Sequence, residues 1–172
     1  MSNKHIQESL EGVVQYYTQN PDRALSADKP AIAFLEEGLR CRVDWDGGAT
    51  MYSDMPKGLG GGASAPTPGW LCRAAFAACD ATMVALRAAQ LGVSLTTLNV
   101  TIESTSDDRG LLGIDESIPA GLLNAHIHVK IGANNTAPEL LREIVGWAVA
   151  HSPVGDTVSR AVPPTTEIDI IS

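Results

Sequence analysis

Residues 60–92 read GGGASAPTPGWLCRAAFAACDATMVALRAAQLG: a glycine run, a proline-bearing cap, an alanine-rich apolar segment and a closing glycine. Thr67 suits an N-cap and Pro68 the first helical position, where its fixed φ is already right and its missing N–H would have had no partner. Gly92 supplies a left-handed stop. Between them the spacing predicts a helix of about 24 residues, roughly 36 Å at ~1.5 Å per residue. Leu71, Ala74, Ala75, Phe76, Ala78, Met83, Leu86 and Leu91 place apolar side chains on nearly every side, so the helix has to be buried on most of its circumference. It is the expected core helix, covered by sheet, by a partner chain or by both. At its centre lies Cys79.

Upstream, Ile6, Leu10, Val13, Val14 and Tyr17 recur at helical spacing, and the helix they predict ends at Asn20-Pro21. The turn signals Glu36-Glu37-Gly38 and Asp46-Gly47-Gly48 then divide residues 31–53 into a three-stranded meander. Leu39, Cys41, Val43 and Trp45 alternate with charged residues in its middle strand, which makes Cys41 an inert core thiol. Downstream of Gly92, Leu98, Val100 and Ile102 mark one strand and Ile127, Val129 and Ile131 another, with a mobile polar surface loop between. His126 and His128 share the solvent face with Lys130, a cation that argues against a metal there, and the loop lacks the ligand spacing of a Ca²⁺ loop. Residues 136–150 form a second helix behind Pro138, residues 151–156 a sharp turn, and TTEIDII a final strand. Strands arriving as hairpins rather than β-α-β units point to an α+β fold with antiparallel sheet.

The chain of 172 residues is long enough for one domain with a real core. Its net charge of -8 argues against nucleic acid and anionic membrane surfaces. No unbroken run of 18 apolar residues suggests a membrane span, and the N-terminus has no signal-peptide core, so a cytoplasmic protein is expected. Three cysteines without C-x-x-C spacing, Cys41, Cys72 and Cys79, read as reduced thiols.

With Leu59-Gly60-Gly61, Pro66-Thr67-Pro68, Ala77-Ala78-Cys79, Gly92-Val93 and Ser152-Pro153-Val154 in this order, the chain resembles the OsmC/Ohr family, the organic hydroperoxide resistance and osmotically inducible proteins. The likeness runs from about residue 24 onward and divides the chain into an N-terminal amphipathic helix, 1–21, and one OsmC-like domain, 22–172. It implies an intertwined homodimer with the long helices buried centrally; no cofactor or metal is expected. In peroxidase members the helix cysteine attacks an organic hydroperoxide and a second cysteine, in a Cys-Pro-Val turn, resolves the sulfenic acid as a disulfide. By motif position Cys79 is the attacking cysteine.

The chemistry needs a thiolate, and a free thiol of pKa about 8.5 is only a few per cent ionised at neutral pH. Cys79 is about three turns into its helix, beyond the reach of the N-terminal dipole, so a cation has to help. In the hydroperoxide-resistance branch an Arg does so, held by a Glu ten residues before the cysteine. Here that position is Gly69, and Ser152 stands where the resolving cysteine belongs. Arg40, Arg42 and Arg73 are the candidate partners, with no motif to choose among them. Cys72 cannot substitute as resolver, because two turns of helix, roughly 10 Å, exceed the ~7 Å Cα limit of a disulfide.

Two readings follow. One is a one-cysteine peroxidase with an external thiol as reductant. The other is a catalytically silent homodimer binding an apolar or thiol-reactive small molecule at the subunit interface. A hydrolase triad of Ser152, His151 and Asp156 is disfavoured, since residues so close along one turn seldom converge.

Overall fold

The computed structural model describes residues 3–160 and 162–171. The chain runs α1 (Asn3–Gln19), β1 (Ile32–Glu37), β2 (Arg40–Asp44), β3 (Thr50–Ser53), α2 (Pro68–Gln90), β4 (Leu95–Thr105), α3 (Asp108–Leu111), β5 (Asn124–Ala133), α4 (Pro138–Ala150) and α5 (Pro153–Ser159), with 3-10 turns at Pro21–Arg23 and Lys57–Leu59. Strands β1, β2 and β3 form one antiparallel sheet in that order; β4 and β5 form a second. This is the α+β architecture expected, built around the long helix.

Helix α2 begins and ends where its sequence dictates. Thr67 accepts a hydrogen bond from the Trp70 N–H at 3.2 Å, with Pro68 in the first turn. Gly92 takes φ +68, and its N–H reaches the Ala89 carbonyl while that of Val93 reaches Ala88. That conformation is open to glycine at no steric cost. On one flank Val84 and Ala88 meet Ile144 and Ala148 of α4 and Val93, all buried, with Leu98 and Ile131 of the second sheet closing over them. Full burial of Val84 and Ile144 contributes about 1.5–3 kcal/mol each. The sheet keeps its apolar face in register, Leu98 opposite Ile131, Val100 opposite Val129 and Ile102 opposite Ile127. Arg87 ties α2 to α4 by pairing with Glu143 and lying over the Trp147 ring.

The opposite flank of α2 is open in the single chain. Ala75, Ala78, Thr82 and Ala85 stand exposed along it. By length and composition α2 resembles a membrane-crossing helix despite having no unbroken apolar run. Its packing against β4, α4, α5 and α1 makes it the core helix of this fold. The meander is likewise uncovered. Every residue of β1 is exposed, Phe34 and Leu35 included, and neither the helices nor the second sheet pack on it substantially.

Four expectations change. Cys41 is half-buried rather than in the core, because the face of its sheet lacks a covering layer; Trp45 leaves the strand for an exposed turn. The polar segment after β4 is folded, with Asp107 capping α3 through the Arg109 N–H and Asp115 holding Ser117. Residues 153–159 are a helix rather than a turn, since Ser152 caps them. No strand forms at TTEIDII, where Ile168, Ile170 and Ile171 are 79%, 91% and 94% exposed: the segment pairs with neither sheet, and its apolar face packs on nothing.

Candidate active site

The approach to α2 is wired by one carboxylate that pattern reading passed over. Asp54 is buried after β3; its Oδ1 accepts from the N–H groups of Met55 and Gly62, its Oδ2 from the N–H and hydroxyl of Ser64. These bonds hold its carboxyl down at about 2, with Ser64 the largest cause. Gly61 passes so close to the Met55 carbonyl that a Cβ there would lie 1.9 Å from its oxygen. A Gly- and Pro-rich loop is thereby fixed, and the helix start with it.

Three turns on, Cys79 is half-buried on the flank of α2 that faces α5. The hydroxyl of Ser152 donates to its Sγ at 3.4 Å. Ser152 is buried and also accepts the Gly155 N–H at 3.1 Å as the cap of α5. Phe76 fills the space beneath: a Cβ on Gly155 would meet its ring at 3.2 Å and Ser152 at 3.1 Å. The two motif positions that the resemblance pairs, residues 79 and 152, are therefore in contact, but as thiol and hydroxyl.

Asp80, next along the helix, is fully buried, and neither of its oxygens has a hydrogen-bond partner. Burial pushes its carboxyl above the ordinary value, opposed in part by the Ser152 hydroxyl. Its place was legible, because Phe76, Asp80, Val84 and Ala88 follow at intervals of four on the buried face. A carboxylate in that apolar series is the signal.

None of the three candidate arginines hydrogen-bonds to Cys79. Arg40 donates to Ser64 at 2.7 Å, pairs with Glu36 and lies over the Tyr52 ring. Arg42 is held by Asp44 and Glu36, and its guanidinium is raised chiefly by Asp44. Arg73 has no ion pair among the described residues; with Gly69 and the exposed Cys72 it lines a cavity of about 660 Å³ bounded by Met55, Leu59 and Leu122. His126 and His128 stay on the exposed face, and although Glu103 lies opposite His126, no three metal-ligating side chains gather among the described residues. His151 stacks on Trp147 and binds its carbonyl, while Asp156 pairs with Arg160, so neither serves Ser152 as a triad would require.

A central helix carrying a half-buried thiol, flanked by small antiparallel sheets and closed by a capped short helix against that thiol, defines an α+β thiol protein. The OsmC-like protein family model matches residues 60–167, and the chain belongs to that family. Among solved structures, an OsmC-like protein from Mycoplasma pneumoniae superposes with a TM-score of 0.65 at 18% identity, over 80% of this chain and 91% of that one. An organic hydroperoxide resistance protein OsmC from Legionella pneumophila gives 0.56 at 20% identity, over 79% and 93%. One from Elizabethkingia anophelis, an organic hydroperoxide resistance protein with thiocyanate bound, gives 0.56 at 18%, over 80% and 92%. No curated protein sequence matches the chain.

Proposed function

We propose that the protein reduces organic hydroperoxides through Cys79 alone, with an external thiol as reductant. The contact between Cys79 Sγ and Ser152 Oγ carries this reading. It puts the attacking position of the family beside its resolving position, and serine at the latter can hydrogen-bond sulfur but cannot form a disulfide. The sulfenic acid then has to be reduced from outside, by condensation with a free thiol and exchange with a second. Membership of the OsmC-like family and the organic hydroperoxide resistance proteins among the similar folds support the substrate class.

We further propose that two copies associate through the open flank of α2 and the uncovered meander. Both leave apolar surface exposed that a second copy of the chain would cover.

The test is consumption of cumene hydroperoxide by the full chain with dithiothreitol as reductant. Wild type, Cys41→Ser and Cys72→Ser should turn over and Cys79→Ser should not. Unchanged turnover in Cys79→Ser would overturn the proposal. The competing reading, a silent binding protein, draws on the absent carboxylate at Gly69 and on the lack of an arginine at Cys79. It requires that no variant, nor the wild type, consume hydroperoxide.

A further inference from the structure

Beside the N-terminal turn of α2 opens a cavity of about 660 Å³ that Cys79 does not line. Four parts of the chain build it: the loop after β3 with Leu59, the start of α2, the connection from β4 to β5 with Leu111 and Leu122, and Val158 of α5. Small-molecule sites run from about 300 to 1,000 Å³, with apolar walls and a few placed polar groups. The open flank of α2, with Ala75, Ala78, Thr82 and Ala85, is not among these walls.

Two charges on the walls have no counterion. Arg73 is half-buried, and its Nη1 stands 4.0 Å from where a Cβ on Gly69 would be, over the first turn of the helix. It has no ion pair among the described residues, and Gly69 offers it no side chain. A cation drawn out of water without an anion is costly. On the α3 wall Asp108 likewise forms no ion pair and no side-chain hydrogen bond among the described residues. Asp107, beside it, is already taken by Arg109. Arg73 and Asp108 do not pair with each other, so they stand too far apart to satisfy one another.

We infer that this cavity binds a small zwitterion with an apolar body, an apolar α-amino acid or short peptide, its carboxylate at Arg73 and its ammonium at Asp108. Its side chains would lie among Leu59, Leu111 and Leu122. Charge balance selects the zwitterion. The charges at the cavity, Arg73 with Asp108 and Asp107 with Arg109, already sum to zero. A simple carboxylate would leave Asp108 uncompensated, a simple amine would leave Arg73 so, and an uncharged apolar molecule would cover both. A zwitterion gives each a charge-assisted partner and keeps the total neutral. Binding is noncovalent and stands apart from the peroxidase reading, because Cys79 and Ser152 take no part in it.

Cys72, exposed on the cavity wall, reports occupancy. Its alkylation by iodoacetamide in the full chain is followed by peptide-resolved mass spectrometry at neutral pH, with Cys79 in the same sample as internal control. Leucine and leucyl-leucine, the amino-acid and peptide sources of the same chemistry, are each added up to about 10 mM. N-acetylleucine, which lacks the ammonium, and leucinamide, which lacks the carboxylate, are run beside them. The expected result is saturable protection of Cys72 by a zwitterion with Cys79 unchanged; whichever zwitterion protects at the lower concentration identifies the source. Both single-charge analogues should protect about tenfold more weakly. Arg73→Gln and Asp108→Asn should each raise the half-protecting concentration about tenfold. Gly69→Glu should do the same by handing Arg73 an internal carboxylate, which the first turn of a helix accommodates well. No protection by either zwitterion overturns the proposal, as does equal protection by N-acetylleucine or leucinamide. Protection unaltered in all three variants overturns it too, and so does an equal loss of reactivity at Cys72 and Cys79, which would report a change in the whole molecule rather than a filled cavity.

Discussion

Ser152 brings the cap of α5 and the thiol of Cys79 to one hydroxyl. Restoring sulfur at that position tests the geometry directly. The Oγ to Sγ separation of 3.4 Å is one that small side-chain rotations bring to the ~2.05 Å of a disulfide. Ser152→Cys, treated with one equivalent of hydroperoxide, is expected to yield a linked pair of peptides containing positions 79 and 152 on non-reducing mass spectrometry. Two unlinked peptides would mean that α5 holds the side chain away from Cys79 in solution. The prominence of Cys79 was readable from its motif, whereas its surroundings were only partly so. No pattern in the sequence shows which arginine reaches a thiol, because Arg40 and Arg42 are steered by Glu36, Asp44 and Ser64 through contacts that do not follow a period.

Among the elements, the segment between β3 and α2 owes its order to Asp54 rather than to its glycines and prolines. The Asp54 carboxyl lies at about 2 in the fold against 3.8 ordinarily. The unfolded chain therefore binds more protons in that interval, and the stability that Asp54 contributes is full above about pH 4 and lost as pH falls through about 2. Urea denaturation across this range should show wild type losing stability on acidification by more than Asp54→Asn does. Equal slopes would mean that the loop is not held by the ionised carboxylate. Asp80 has the opposite sign, since its raised value gives stability that is lost as pH climbs past it. The elements that caps and periods define, α1, the meander, α2, the β4–β5 hairpin and α4, were legible because each signal is local. Helix α5 was not, because Ser-Pro reads equally as a turn and as a capped helical start.

For the whole molecule, the expectation of an intertwined pair meets a single chain with two uncovered faces. Sedimentation equilibrium should give twice the 18.1 kDa chain mass, and Ala78→Glu, which puts charge on the open flank of α2, should lower the association constant. A monomer at micromolar concentration would remove the pairing proposal. The apolar alternation at residues 165–171 reads as a strand, but alternation alone does not choose a partner, and the segment pairs with neither sheet. The open flank of α2 has one further property. Alanine has no rotamers to lose, and the Thr82 hydroxyl is already fixed to the Ala78 carbonyl at 2.9 Å. Meeting another surface there would immobilise almost no side-chain motion, so dispersion forces across a close helix contact would face little opposition from side-chain entropy.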